Sequence, residues 1–250
     1  MGTTEDKLNA IASSKAAIKA AIQAKGVACN DVLSTYANCI AAIATTLQVP
    51  NAMHFAGDIP LGTFNKLDFS AITNANDLFA ACNLTSDGAY SLNLPKVTTS
   101  MRTFSKASAQ TLNVTLPADY DNGYTLMFGE FNGQTLNVTL TKNTNPQELI
   151  STFENCTCVE ISLTCTGNKI QKFTDTFKGC TVLTALHLET EIVADLNLST
   201  CTRLTQASLV GVIAKLVSGA GKTLTLGETN LAKLTDEQKA VATAKGWTLA

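Results

Sequence analysis

Apolar positions along this chain follow two different periods, and the change from one to the other divides it. Near the N-terminus Leu8, Ile11, Ile18 and Ile22 stand three, seven and four residues apart. That spacing puts them on one face of a helix over residues 4–25, which Gly26 ends. A second helix is expected to open at Asn30 or Asp31 as N-cap, with Leu33, Tyr36, Ile40 and Ile43 again three or four residues apart. The two predict a helical hairpin over residues 1–46. Its stripes are thin and alanine-rich, so the hairpin needs a partner to offset its ordering entropy. The 3-4 stripe resembles a coiled-coil seam, and self-association through these eight residues is the favoured expectation. A cap folded onto the rest of the chain is the alternative.

From residue 79 onward the period changes to strand alternation within a longer repeat. Phe79, Phe104, Phe128, Phe153 and Phe177 recur at intervals of 25, 24, 25 and 24 residues. Three residues after each comes Cys82, Ala107, Phe131, Cys156 or Cys180, and then a short alternating segment: SLNL at 91–94, TLNVTL at 111–116 and again at 135–140, VEISLTC at 159–165, LTALHL at 183–188. A fixed period of this kind predicts a solenoid over residues 47–205, whose strands stack as one parallel sheet about 4.8 Å apart. The phenylalanines are expected to form a ladder. Phe55 lies 24 residues before Phe79 and marks an opening repeat with its strand at Leu67 and Phe69. Pro50, Gly57, Pro60 and Gly62 make residues 47–66 a connector and an irregular first coil.

Residues 206–250 read as an α/β cap. QASLVGVIAKLV at 206–217 predicts an apolar helix and TLTLG at 223–227 a strand. Thr235 and Gln238 form a capping box, Gly246 sits at a helix C-cap, and residues 247–249 make a terminal strand.

Charge and composition narrow the function classes. A formal net charge of -2 with 15% charged residues offers no basic stripe for phosphate, so nucleic acid is not an expected partner. No stretch of about 18 apolar residues predicts a membrane span, and MGTTEDKLNA has neither the basic nor the apolar region of an export signal. Several of the eight cysteines fill one repeat slot, so they read as small buried residues of a reduced protein rather than a disulfide framework.

Catalytic patterns are weak throughout. SGAGKTLT at 218–225 resembles a phosphate-binding loop, but Leu216 replaces the required glycine and the helix precedes rather than follows. Cys156, Cys158 and Cys165 lack the paired four-ligand spacing of a zinc site. No Ser, His and Asp combination can be nominated, so neither catalytic nor metal-binding residues are expected, and no cofactor. What remains is the outward face of the strands: Asn93, Asn113, Thr115, Asn137, Thr139, Ser162, Thr164 and His187. These amides and hydroxyls could receive vicinal sugar hydroxyls. They could equally be the solvated side of a half-buried sheet. Alanine at Asn113 and Asn137 is expected to leave stability nearly unchanged.

TFENC at 152–156, TFKGCTVLTALHL at 176–188 and CTRLTQASL at 201–209 resemble the BspA-like class of leucine-rich repeat, with Phe, then Cys, then spaced leucines. The resemblance covers residues 64–210, and the central coils depart from it with Ala107 and Phe131 in the cysteine slot. It implies an α+β repeat solenoid and adhesion or ligand binding rather than catalysis. The two ends of the chain are similar to structural proteins of tailed phages of gut bacteria. That similarity implies a virion fibre or capsid decoration, assembled in the host cytoplasm with other virion proteins. It also implies a homo-oligomer, a trimer by analogy with fibres, displaying its repeat domain to a host-surface glycan or protein. A bacterial cell-surface adhesin is the alternative, and an enzyme acting on surface polysaccharide is a third reading for which no groove carboxylate pair is found.

Overall fold

The computed structural model describes residues 3–25, 28, 47–117, 124–143, 147–167, 170–219 and 221–250. It divides into two compact units, Met1–Leu47 and Gln48–Ala250.

In the first unit helix α1 spans Thr4–Gln23. Leu8, Ile11 and Ile18 are 61%, 58% and 42% exposed, whereas Ile22 is only 2% exposed. Ile22 is thus buried, unlike the other three members of the expected stripe. Ala10, Ile11, Ser14, Lys15 and Ile18 line a shallow groove of about 300 Å³ on this helix. Gly26 and the second helix, with Leu33, Tyr36, Ile40 and Ile43, lie outside the described residues.

The second unit opens with short elements: β1 (Leu47–Gln48) at the boundary, α2 (Leu61–Phe64) and β2 (Leu67–Asp68). The main elements follow: β3 (Asn83–Asn93), β4 (Ser108–Pro117), β5 (Asn132–Asn143), β6 (Gln147–Glu148), β7 (Glu160–Gly167), β8 (Ile170–Lys172) and β9 (Ala185–Glu189). Strands β3, β4, β5, β7 and β9 form a five-stranded sheet in that order. Every pair in it is parallel.

Alternation puts one side of this sheet into the core. Leu92, Val114, Val138, Leu163 and Leu188 are register partners, as are Tyr90, Leu112, Leu136, Ile161 and Leu186. All ten are buried. Strands β3, β4 and β5 begin earlier than the alternation predicts, and in β4 the added residues turn a corner. In β4 Ala109 and Leu112 are buried while the two residues between them, Gln110 and Thr111, both face outward. Strict alternation therefore resumes only at Thr111.

Behind the sheet the phenylalanines stack. Rings of Phe55, Phe79, Phe104, Phe128, Phe153 and Phe177 follow one another at 5.1, 5.2, 5.5, 5.4 and 5.3 Å, with interplanar angles of 12° or less. The turns carrying them repeat too. Residues two before and two after each ring from Phe79 to Phe177, such as Leu126 and Glu130 around Phe128, have positive φ. The N–H of Phe79, Phe104, Phe128 and Phe153 donates to the residue preceding the next phenylalanine. Buried hydroxyls of Thr103, Thr152 and Thr176 and thiols of Cys82, Cys156, Cys180 and Cys201 donate to carbonyls one unit earlier. Side chains of one unit thus bond the backbone of the unit before, at carbonyls such as Phe128 O, Phe153 O and Phe177 O that also accept from a backbone N–H within their turns.

Both edges of the sheet are covered. At β9 the Ser208 hydroxyl, on helix α3 (Gln206–Ala214), accepts from Leu186 N at 2.8 Å and donates to Leu186 O at 3.2 Å. At β3 Asp58 bridges Asn83, Leu61 N donates to Ser86 Oγ at 2.9 Å, and Tyr90 Oη donates to Ile59 O at 2.7 Å. Phe55 thus opens the aromatic stack as expected. The extended segment reaching β3 is the one around Asp58, not the expected Leu67 and Phe69.

Past β9 come β10 (Leu196–Asn197), α3, β11 (Thr223–Thr225), α4 (Gly227–Leu231), α5 (Asp236–Ala244) and β12 (Thr248–Leu249). β10, β11 and β12 form a second, three-stranded parallel sheet. Both arms of the Thr235 capping box form, and Gly246 has φ +79°. The expected helix over 206–217 stops at Ala214, because Leu216 pairs with Ile192 in an isolated bridge. Helix α4 has no counterpart in the sequence reading. Among the described residues no helix is long and apolar enough to cross a membrane.

Candidate binding surface

Parallel register turns the outward residues into rows that cross the sheet. One row runs Ser91, Asn113, Asn137, Ser162 and His187, and the next runs Asn93, Thr115, Thr139, Thr164 and Glu189. All eight residues singled out from the sequence are therefore brought onto one face, with Ser91 and Glu189 as the members that sequence reading missed. Asn93 and His187 are exposed at opposite edges, and the six others are half-buried.

The amides in the first row are not free. Asn137 Nδ2 donates to Asn113 Oδ1 at 2.8 Å, and Asn113 Nδ2 donates to Ser91 Oγ at 3.2 Å. Parallel strands carrying identical residues in register place these carboxamides within reach of one another. At the β9 edge His187 Nε2 lies 3.4 Å from Glu160 Oε1, with both side chains about half exposed. The carboxylate beside His187 is thus Glu160. Glu189 instead pairs with Lys215, whose ammonium holds the Glu189 carboxyl below its ordinary value.

A second polar surface adjoins the first, at the corners where the strands begin. It is a shallow trough of about 890 Å³ running from β3 across β4 and β5 to the loops before β7 and β9, and ending at Arg203. At its β3 end the register slips, with Leu84 opposite Ala109 but Ala89 opposite Thr111. Thr85–Gly88 thus stand opposite the single residue Gln110 and form the trough's wall. Asp87 lies in that wall, Gln110 and Gln134 lie side by side on the corner, and Leu84, Ala109, Val159 and Val182 add apolar lining. Among the described residues the side chains of Asp87, Gln110, Gln134 and Arg203 have no hydrogen-bond or ion-pair partner. Sequence reasoning passed over this surface because its ends are more than a hundred residues apart. The available signal was the identical QTLNVTL at 110–116 and 134–140, one residue longer at its start than the alternation alone shows.

Among the described residues the cysteine thiols are shifted in both directions: hydrogen bonds from Cys156 and Cys201 lower Cys180 to about 5. Burial pushes the Cys82 thiol up to about 11 and raises that of Cys156 well above its ordinary value. Cys201 is raised by its contact with Cys180 and by burial. The raised thiols of Cys82, Cys156 and Cys201 stay protonated and donate to backbone carbonyls. Among the described residues no group of three or more His, Cys, Asp or Glu side chains is placed to hold a metal ion.

Comparison with family models, with curated proteins and with solved structures returned no match.

Proposed function

We propose that this chain is a non-enzymatic structural protein of a tailed-phage virion, a fibre or capsid decoration. It assembles through its N-terminal segment and displays a BspA-like leucine-rich-repeat solenoid to the host surface. The observation that carries the binding half is the outward face of the five-stranded parallel sheet, where polar residues align in rows across all five strands. Such a face can present the same chemistry to a repeated ligand several times over. The stacked phenylalanines and the repeated thiol and hydroxyl donors support the repeat assignment.

The assembly half is supported by α1, which leaves Leu8, Ile11 and Ile18 exposed along one side. A partner helix from another copy would bury them, and linked copies would gain avidity for a repeated surface glycan or protein from individually weak contacts. Light scattering on the whole chain and on residues 47–250 tests this. An oligomer that becomes a monomer on truncation supports the assembly role; two monomers remove it. Adsorption of the oligomer to host cells, measured by co-sedimentation, tests the display role in the same preparation.

A further inference from the structure

We propose that the trough along the strand corners binds an extended peptide segment, with a basic side chain toward Asp87 and an acidic one toward Arg203. The groove, the charges at its ends and the unpaired carboxamides between them point to this ligand. The inference concerns a surface distinct from the aligned rows, and it does not require that the protein belong to a virion.

Length comes first. The trough crosses from β3 to the loop beyond β9, five strand steps at about 4.8 Å, or roughly 24 Å. An extended chain rising about 3.3 Å per residue covers that distance with about seven residues.

Chemistry comes second. A carboxamide carries an acceptor and a pair of donors, the complement of a peptide group's N–H and C=O. Register places Gln110 beside Gln134 on adjacent strands, and among the described residues neither side chain has a partner. The amides of Asn113 and Asn137, by contrast, are already engaged with each other. Gly133, the register partner of Ala109 just before Gln134, leaves no room for a side chain: a Cβ there would sit 2.5 Å from Ala109 O and 2.9 Å from the Phe131 ring.

Third, among the described residues no aromatic side chain lines the trough, so a sugar ring finds no flat apolar surface there to stack on. Val159 and Val182, half-buried in the trough's lining, suit small aliphatic side chains instead. The opposite charges of Asp87 and Arg203 fix the direction of the bound segment, since the reversed peptide would meet a like charge at each end.

A random heptapeptide display library panned against the immobilised full chain tests the proposal. The expected result is enrichment of peptides with Lys or Arg at one end and Asp or Glu at the other. A synthetic peptide of the enriched sequence should lose at least tenfold in affinity for Gln110→Ala/Gln134→Ala. Arg203→Glu should lose the same peptide and recover binding when the peptide's acidic residue is changed to Lys. Among the described residues these side chains have no partners, so each variant should melt with the parent, which separates lost binding from lost structure. Absence of a two-charge pattern, or equal binding by the double alanine variant, overturns the proposal. Binding to an oligosaccharide array that the double variant abolishes also overturns it, by assigning the trough to a glycan. Oligomeric state and cell adsorption are read separately, so the virion reading and this one fail independently.

Discussion

The side-chain amide of Asn137 donates to the side-chain carbonyl of Asn113 at 2.8 Å, although the two residues are 24 positions apart in the chain. They meet because a full repeat separates them and the strands are parallel and in register. The pair decides how the outward face behaves under mutation. Asn137→Ala removes a half-buried hydrogen bond and leaves Asn113 Oδ1 to water, so it should cost about 0.5–1.5 kcal/mol. Urea unfolding of the single and double alanine variants would show it, and their non-additivity would measure the coupling.

Phe128 stacks on Phe104 at 5.5 Å and on Phe153 at 5.4 Å. Phe128→Ala should therefore destabilise by about 3–5 kcal/mol through lost burial and a cavity shared with both neighbours. Phe128→Leu, which keeps most of the volume, should cost distinctly less. The difference in denaturation midpoint at unchanged slope is the readout.

Gly179 has φ +77°, and a Cβ built there would sit 2.0 Å from Asn155 Oδ1. Asn155 itself has positive φ, as do Lys106 and Glu130 at the matching place in earlier units. Gly179→Ala combines the left-handed penalty of about 1–2 kcal/mol with that clash, and a thermal melt should fall accordingly. Gly179→Ala/Asn155→Gly should recover the part owed to the clash, leaving only the backbone term.

The hydrogen bond from Arg102, with its charge, holds the Asp77 carboxyl below its ordinary value. A carboxyl lowered by folding binds its proton more tightly in the unfolded chain. Its contribution is fully present above the unfolded value near 4 and is lost as pH falls through the lower folded value. Both partners are partly exposed, so the contribution is at most about 1 kcal/mol. Asp77→Asn should lower stability at neutral pH and flatten its decline below pH 4, with the two curves converging in acid.

Much of the second unit was legible in the order of its residues, for a physical reason. A repeat places equivalent residues in equivalent surroundings, so the spacing of Phe79 to Phe177 already implies the ring stack, and the alternation in TLNVTL already assigns Leu112, Val114 and Leu116 to the core. The capping box at Thr235 and the turn at Gly246 were legible because both act within a few residues of chain. The N-terminal helix was legible from its period, but the fate of its apolar side was not. Ile22 is buried while Leu8 remains exposed, and one helix's pattern cannot say which part of its stripe a neighbour covers.

The local geometry of each unit and the side each residue faces follow from short-range periodicity. Which outward residues answer one another depends on how the strands stack. Register across β4 and β5 joins Asn113 to Asn137 and leaves Gln110 and Gln134 open, although both pairs stand in the same repeated heptapeptide. The corner at Gln110 and Thr111 turns one pair away from the aligned row and into the trough. Hydrogen bonds between strands depend on the stacking of whole units, and that distance relationship is not written in any one of them.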